Sequence, residues 1–204
     1  MVLLLLVMIY LSYVVISMWL RNDSMSKVVK GEFVSLRPVE LSDAEFIVSI
    51  RNIERNARYI NKTSTDIQAQ IDWMIQEKSD PTSYYFLIVD EDDQKIGTIS
   101  IYNIDDSRGE FGRWICSGNA LQSLESALLI HRYAFERLGL KEVYTRTLAE
   151  NKKVVSFHRQ FGALLPQKSV FESEYGKDIY PGLVTFDMFP KISERCKKMI
   201  EAFK

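Results

Sequence analysis

The chain has 204 residues, of which 47% are hydrophobic and 26% charged, and its formal net charge is −1. These values suit a globular protein with one hydrophobic core and exclude the strongly basic character typical of nucleic-acid-binding proteins. The two cysteines and two histidines are too few for a disulfide framework or a His-rich zinc site, so we expect a reducing compartment and no metal.

The N-terminal segment is the most apolar part of the chain. Residues 2–20 contain no charged side chain, and this length is sufficient for a helix that spans a bilayer. Basic residues follow from Arg21 onward and none precedes the segment, which would place the globular part in the cytoplasm. Alternatively, translation starts at Met25 and residues 1–24 are a wrongly assigned start. Both interpretations predict a cytoplasmic domain.

Between residues 32 and 116, the sequence predicts a strand, two helices and three further strands joined by polar turns. Capping residues precede the helices, Ser42-Asp43 for the first and Thr65 or Asp66 for the second. The predicted apolar faces are Phe46, Ile47 and Ile50 on the first helix, and Ile67, Ile71, Met74 and Ile75 on the second. The predicted strands are 32–37, 84–89, 96–102 and 110–116. The last three, joined by short turns, would form an antiparallel meander.

The C-terminal half predicts alternating helices and strands. The elements are a helix over 121–138 ending at Gly139, a strand over 142–148, a helix over 154–161 ending at Gly162, a strand over 183–189 and a helix over 192–203. The long helix carries Leu124, Leu128, His131 and Phe135 on its apolar side, and the last one Cys196, Ile200 and Phe203. Pro181-Gly182 predicts a turn. We expect one α/β domain over 31–190 and an accessory helix over 191–204.

The segment from 110 to 163 is the most informative for function. It predicts a strand, a loop and the N-terminus of a helix in succession. Such a loop presents free backbone N–H groups to an anion, which is what a phosphate-bearing cofactor needs. This pattern favours an enzyme over a simple binding module.

Three motifs in this segment resemble those of the GNAT N-acetyltransferases, in particular the ribosomal-protein and amino-sugar branch. They are Glu110-Phe111-Gly112, the helix end 133–140, and the stretch 149–163, in which Asn151 precedes Gly162 by 11 residues. The resemblance implies a mixed α/β fold with a mostly antiparallel sheet, acetyl-CoA as co-substrate and a small-molecule primary amine as acceptor.

The loop expected to bind the pyrophosphate of CoA departs from the family pattern. Gly118 occupies the place of an Arg or Gln, and Leu121 replaces the central glycine that lets the backbone approach the phosphate closely. Ser123 stands where the family has Gly or Ala and would add a hydroxyl donor. The departure puts the affinity for CoA in question.

The resemblance suggests catalytic roles for Glu110 and His158. Glu110 would act as the general base that receives the amine proton, directly or through water; alternatively, it is a structural carboxylate. His158 takes the position of a tyrosine that protonates the departing CoA thiolate in many family members. A histidine with an ordinary pKa near 6.5 can do so near neutrality. The alternative for His158 is a surface histidine.

The expected binding residues flank these two. A backbone N–H of 113–116 would bind the oxyanion. Strand alternation would place Glu110, Gly112, Trp114 and Cys116 on one face and Phe111, Arg113 and Ile115 on the other. The predicted cofactor-binding residues are Arg113, Trp114, Ile115, Cys116, Gly118, Asn119, Ala120, Leu121, Gln122, Ser123, Asn151 and Ser156. The predicted substrate-binding residues are Arg51, Asn52, Asn61 and Tyr102, together with Tyr59.

Aromatic and amide side chains suit a sugar or nucleotide acceptor. Because Arg51-Asn52 resembles the substrate-side loop of amino-sugar acetyltransferases, the first expectation is a nucleotide-linked amino sugar in surface polysaccharide synthesis. A protein or ribosomal-protein N-acetyltransferase is the second, and an antibiotic-modifying enzyme is weaker. Leu121 leaves open a non-catalytic module that binds acyl-CoA or a partner. A homodimer is also left open.

Overall fold

The computed structural model describes residues 28–203. The strands are β1 Val29–Lys30, β2 Val34–Pro38, β3 Tyr84–Asp90, β4 Lys95–Asp105, β5 Arg108–Cys116, β6 Glu142–Leu148, β7 Val170–Glu172 and β8 Lys177–Thr185. The helices are α1 Ala44–Asn52, α2 Glu54–Ala57, α3 Ile67–Ser79, α4 Ala120–Arg132, α5 Lys152–Phe161 and α6 Phe189–Glu201. A 3-10 turn, Leu41–Asp43, precedes α1, and a π-helical turn, Tyr133–Arg137, extends α4.

The strands form one sheet of eight strands in the order β1-β2-β3-β4-β5-β6-β8-β7. All neighbouring pairs are antiparallel except β5 and β6. The parallel ladder is short, extending from Arg108–Glu142 to Glu110–Tyr144. Beyond these pairs the two strands separate. The predicted mixed, mostly antiparallel α/β fold is therefore confirmed, and its one parallel junction opens in the middle of the sheet.

Helices cover both faces of the sheet. On β3, Phe86 and Ile88 belong to the main core with residues of α4 and α6, whereas Leu87 and Val89 pack with residues of α1 and α3. A strand buried on both faces is continuously apolar, which explains the uninterrupted run over 84–89. Cys196 and Ile200 of α6 lie in the main core, as predicted, whereas Phe203, predicted on the same side, lies beyond the end of the helix and is exposed.

The cap and the buried face of the early helices differ in part from prediction. Asp66 caps α3 by accepting a hydrogen bond from the Gln68 N–H at 2.9 Å, as expected. Asp43 makes no cap bond to α1, because its buried carboxylate instead pairs with Arg37 and Lys95, each at 2.7 Å. Burial alone would raise the pKa of Asp43, but hydrogen bonds from both cations and a backbone N–H lower it to about 2.

The predicted apolar face of α3 is wrong at two positions. Ile67 and Ile75 are 41% and 52% exposed, while Gln70 and Met74 are buried. Met74 packs with Tyr85 and Leu87 of β3 as predicted, but the buried side of the helix is shifted towards Trp73, whose ring lies 5.7 Å from that of Tyr85. Gln70 lies on this shifted side and lines the opening in the sheet.

The predicted C-terminal strand is displaced. Pro181 and Gly182 do not form a turn but lie within β8, paired with Arg146 and Thr145 of β6. Phe189 begins α6 instead of ending a strand. A proline removes only one donor from a ladder, and the full-length pairing with β6 keeps this strand in place.

The predicted membrane span at 2–20 and the alternative start at Met25 fall outside the described residues. From residue 28 to residue 203, no helix has both the length and the apolar character needed to cross a bilayer.

Candidate active site

The separation of β5 from β6 opens a cavity of about 800 Å³. Its walls include Phe111–Trp114 from β5 and Thr145–Leu148 from β6, together with residues of α3 and α5. This volume lies in the upper part of the range for small-molecule sites. It is large enough for the reacting ends of two substrates.

A β-bulge shapes the β5 side of the cavity. Gly112 pairs with Ser100 and Ile115 with Thr98, so that Arg113 and Trp114 together face one residue of β4. Arg113 adopts a φ of 49°, and its carbonyl accepts a hydrogen bond from the Thr98 hydroxyl at 3.0 Å. Bulges of this kind redirect side chains next to functional sites.

The predicted strand alternation is therefore wrong beyond Gly112. The Trp114 ring lies 5.5 Å from the Phe111 ring on one face. The Arg113 guanidinium lies 4.2 Å from the Tyr102 ring centroid, on the face occupied by Glu110. The extra residue of the bulge returns the side chain of Arg113 to the Glu110 face and sends Trp114 to the other.

The same stretch leaves a free backbone edge. In the described chain the ladder between β5 and β6 ends at Glu110, so the backbone N–H and C=O groups of 111–116 that point towards β6 form no ladder hydrogen bonds with that strand. A ligand with amide groups can pair with such an edge as an added strand would. A backbone N–H here also meets the requirement for stabilising an oxyanion.

Glu110 is the centre of a hydrogen-bonded network at the floor of the cavity. It is 2% exposed, and each of its oxygens accepts two hydrogen bonds. Oε1 accepts from the Tyr102 hydroxyl at 2.9 Å and Arg146 Nε at 3.2 Å. Oε2 accepts from Asn103 Nδ2 at 3.0 Å and Arg146 Nη2 at 2.8 Å. These bonds fill the acceptor sites of a carboxylate.

Arg146 links this network to the turn between β7 and β8. It forms an ion pair with Glu174 and lies 4.8 Å from the Tyr175 ring centroid. Hydrogen bonds from its guanidinium to Glu110 raise the pKa of Arg146. Burial, together with the charge of Glu110, raises the pKa of Tyr102 as well, and that of Tyr175 to about 12. Both tyrosines therefore keep their protons at neutral pH.

Arg113 is held on the α3 side of the cavity. Its guanidinium forms an ion pair with Glu77 and lies 5.1 Å from the Trp73 ring centroid. The guanidinium also contacts the Tyr102 ring, so the arginine packs against two aromatic rings. These contacts and the ion pair hold its side chain next to the bulge.

His158 lines the cavity but is not a surface histidine. It is 3% exposed and its ring lies 5.6 Å from Phe111 and 6.4 Å from Trp114. Burial, with a smaller contribution from His131, lowers the pKa of His158 to about 3. The expected ordinary pKa is therefore wrong. The ring is neutral at pH 7 and is not available as an imidazolium acid.

We expect acid to destabilise the protein through His158. An unfolded histidine takes up a proton below pH 6.5, whereas the folded ring does not until about pH 3. The contribution of the neutral His158 ring to the free energy of unfolding is therefore fully present above pH 6.5, and about 2 kcal/mol of it is lost by pH 5. NMR titration of the two imidazoles should show a neutral His158 ring at pH 5. A midpoint near 6.5 would contradict this account.

In the predicted pyrophosphate loop, the side chains of Asn119 and Gln122 form a capping box at the N-terminus of α4. Asn119 Oδ1 accepts a hydrogen bond from the Gln122 N–H, and Gln122 Oε1 accepts one from the Asn119 N–H, both at 2.9 Å. A Cβ at Gly118 would lie 2.3 Å from Gln122 Oε1, so the side chain covers the glycine. To bind a phosphate here, the Gln122 side chain would have to move away, or the phosphate would have to be held by the remaining free N–H groups of the first helical turn alone.

The other predicted residues divide by position. Those lining the cavity are Arg113, Trp114, Asn151, Arg51, Tyr59, Asn61 and Tyr102. Those outside its lining are Ile115, Cys116, Gly118, Asn119, Ala120, Leu121, Gln122, Ser123, Ser156 and Asn52. Asn151 also caps α5, through Oδ1 and the Val154 N–H at 3.4 Å. Burial raises the pKa of the Cys116 thiol, which works against a cysteine nucleophile.

Arg146, Glu174 and Tyr175 were not predicted from the sequence. Arg146 alternates with the buried residues Thr145 and Thr147 on β6. A charged residue in the middle of an inner strand was the available signal, since such a residue needs a buried partner. No sequence pattern places Tyr175 near it.

The sequence was compared with family profiles and with curated protein sequences. The profile of the Acetyltransferase (GNAT) domain family matches residues 34–163. No curated protein sequence matches the chain significantly.

Solved structures are similar over most of the chain. Apo FdhC, a nucleotide-linked sugar GNAT, is 28% identical with a TM-score of 0.69, covering 83% of this chain and 96% of its own. The Vibrio cholerae spermidine N-acetyltransferase in complex with CoA and spermine is 19% identical with a TM-score of 0.68, covering 78% and 99%. A putative acetyltransferase from T. thermophilus is 16% identical with a TM-score of 0.71, covering 85% and 97%.

Proposed function

Because the chain belongs to the GNAT acetyltransferases, which transfer an acetyl group from acetyl-CoA to an amine, we propose that its acceptor is a nucleotide-linked amino sugar. The product would serve surface polysaccharide synthesis. The observation that carries the proposal is the composition of the cavity. Its cations outnumber its carboxylates, and aromatic rings and amides lie among them. The similarity to a nucleotide-linked sugar GNAT supports it, and also supports the amino-sugar branch.

The charges of the cavity favour this acceptor over a polyamine. Its only lining carboxylates within residues 28–203 are Glu110 and Glu174. Both are bonded to Arg146, which offsets part of their negative charge, and the other lining cations leave the lining with more positive than negative side chains. A polycation such as spermidine would find arginines and lysines instead of free carboxylates, and like charges repel.

The reaction proposed is direct attack of the neutral amine on the thioester. The open β5 edge supplies a backbone N–H to the developing oxyanion, in line with the predicted role of 113–116. Water in the open cavity takes the amine proton. Because its pKa is low, the His158 ring is neutral and has no imidazolium proton to transfer. It instead donates a hydrogen bond from its N–H to the sulfur, which leaves as the CoA thiolate.

We propose that Glu110 acts mainly as a positioning residue. Its filled acceptor sites hold Arg146 and Tyr102 in place beside the bulge. To serve as a general base it would first have to release one of these partners. The role of the carboxylate in proton transfer is thus separable from its role in the network by a pH profile.

The acceptor class is tested by measuring release of the CoA thiol with matched acceptors. TDP- and UDP-linked amino sugars should give the highest kcat/KM, above that for spermidine and for a ribosomal-protein N-terminal peptide. A preference for spermidine would overturn the proposal, and a preference for the peptide would favour the protein N-acetyltransferase.

A further inference from the structure

The cations of the cavity differ in whether they have a counter-ion. Arg113 pairs with Glu77, Arg146 with Glu110 and Glu174, and Lys177 with Glu150 at 3.0 Å. Among residues 28–203, no ion pair includes any of the three remaining cations that line the cavity. These are Arg51, Arg58 and Lys62.

All three lie on one wall, which we call the 51–63 wall and which runs from the end of α1 to Thr63. Arg51 is half-buried, and Arg58 and Lys62 are exposed at the rim. The wall therefore contributes three positive side chains to the cavity, one half-buried and two exposed. Several cations on one wall suit a ligand with more than one negative group.

Of the three, Arg51 is the residue for which the lack of a counter-ion is most unfavourable, because it is the least exposed. Its Nε donates a hydrogen bond to the Thr63 hydroxyl at 2.7 Å, and Nη2 reaches the Asn61 carbonyl at 3.4 Å. Burial, with the nearby charge of Arg113, lowers the pKa of Arg51. A half-buried guanidinium without a carboxylate is unfavourable, and a bound anion would remove that cost.

The fixed geometry of Arg51 also suits a phosphate. The bond from Nε to Thr63 orients the side chain, while N–H donors of the guanidinium beyond those two bonds remain available. A guanidinium presents these donors in a planar fork that matches phosphate oxygens. An acceptor amine with a single carboxylate would pair with Arg51 alone and leave Arg58 and Lys62 without a partner.

We propose that the 51–63 wall binds the diphosphate of the acceptor, with Arg51 as the specificity-determining residue and Arg58 and Lys62 as outer contacts. This rests on the proposed function and adds how the site selects its substrate. The amine is presented to the β5 edge by the sugar, while the diphosphate is fixed at the wall. An amino sugar without the nucleotide would lose this anchor.

The test is calorimetric titration of TDP and UDP into the full chain with saturating CoA, so that the CoA site is not available to the nucleotide. The Arg51→Met variant should bind about 10- to 100-fold more weakly than wild type. The Arg55→Met variant removes an exposed arginine of α2 that does not line the cavity. It should bind as wild type does.

Arg51 also supports the loop at Thr63, so a second variant keeps the test decisive. The double variant Arg58→Gln, Lys62→Gln removes rim charge and leaves the Arg51 bonds intact. It should weaken binding about threefold or more at low salt and less at high salt. Equal affinity of wild type and both wall variants, or no binding of either nucleotide, would overturn the proposal.

Acetylation measured in parallel separates this inference from the proposed function. Wild-type acetylation of nucleotide-linked amino sugars, with KM unchanged in the wall variants, would overturn the wall and leave the function standing. Nucleotide binding that depends on Arg51, without acetylation of any nucleotide-linked amino sugar, would support the wall as an anion site and overturn the function.

Discussion

Replacing Glu110 with glutamine is expected to lower kcat/KM for acetyl transfer by about 100- to 1,000-fold. The side chain is 2% exposed and bonds Arg146 twice, so the amide would leave a buried guanidinium without its main counter-ion. Tyr102 and Asn103, which both donate to this carboxylate, would face an amide that is a weaker acceptor and accepts through only one atom. Because this network lies beside the bulge that lines the cavity, we expect the loss mainly in kcat.

A matched control exists on the same two strands. Arg108 of β5 and Glu142 of β6 also form an ion pair, at 2.8 Å, but both side chains are substantially exposed, at 56% and 37%. Glu142→Gln should change stability by less than about 1 kcal/mol and leave the kinetics as in wild type. A loss below about threefold in Glu110→Gln would contradict the network's importance.

The pH dependence of kcat/KM separates the two roles of Glu110. A positioning residue lowers the whole profile without changing its shape. A general base produces an acid limb in wild type that disappears in Glu110→Gln. The second result would restore the general-base role predicted from the family resemblance.

A Gly97→Val variant is expected to lose about 3 kcal/mol of unfolding free energy and about 6–12 °C in Tm. A Cβ at Gly97 would lie 2.0 Å from the Ile115 carbonyl oxygen and 2.9 Å from its carbon. Both atoms are backbone, so no rotamer change relieves the contact. β5 would have to move at the residues that follow the bulge, and activity should fall with stability.

Gly176→Ala provides the comparison for a glycine replaced without a steric clash. Gly176 has a φ of +60°, and nothing lies within 4 Å of the added Cβ. Only the backbone cost of about 1–2 kcal/mol is expected. Thermal unfolding of both variants measures the difference, and a Gly97→Val chain with the wild-type Tm would show that β4 and β5 do not pack as closely as described.

Features determined by local sequence were predicted well. The strand over 142–148 has its predicted ends, and Gly139 and Gly162 end their helices with φ values of 67° and 104°. Helix ends and alternating strands depend on neighbouring residues along the chain. The bulge at Arg113 was missed because it depends on the register of β5 against β4, which strand alternation alone does not specify.

The candidate site was predicted only in part for the same reason. The resemblance pointed to Glu110 and His158, and both line the cavity. The neutral state of His158 arises from burial among Phe111 and Trp114, which lie on another element. Arg146 is brought to Glu110 by the parallel junction of β5 and β6. These are tertiary effects that one sequence does not encode in any short pattern.

The most direct test of the central claim is the structure of the product. The full chain would be incubated with acetyl-CoA and a TDP- or UDP-linked amino sugar, and the product analysed by mass spectrometry and NMR. We predict one added acetyl group, located on the sugar nitrogen, with the nucleotide intact. An unmodified nucleotide sugar in a reaction where the same preparation acetylates spermidine or a peptide would contradict the account.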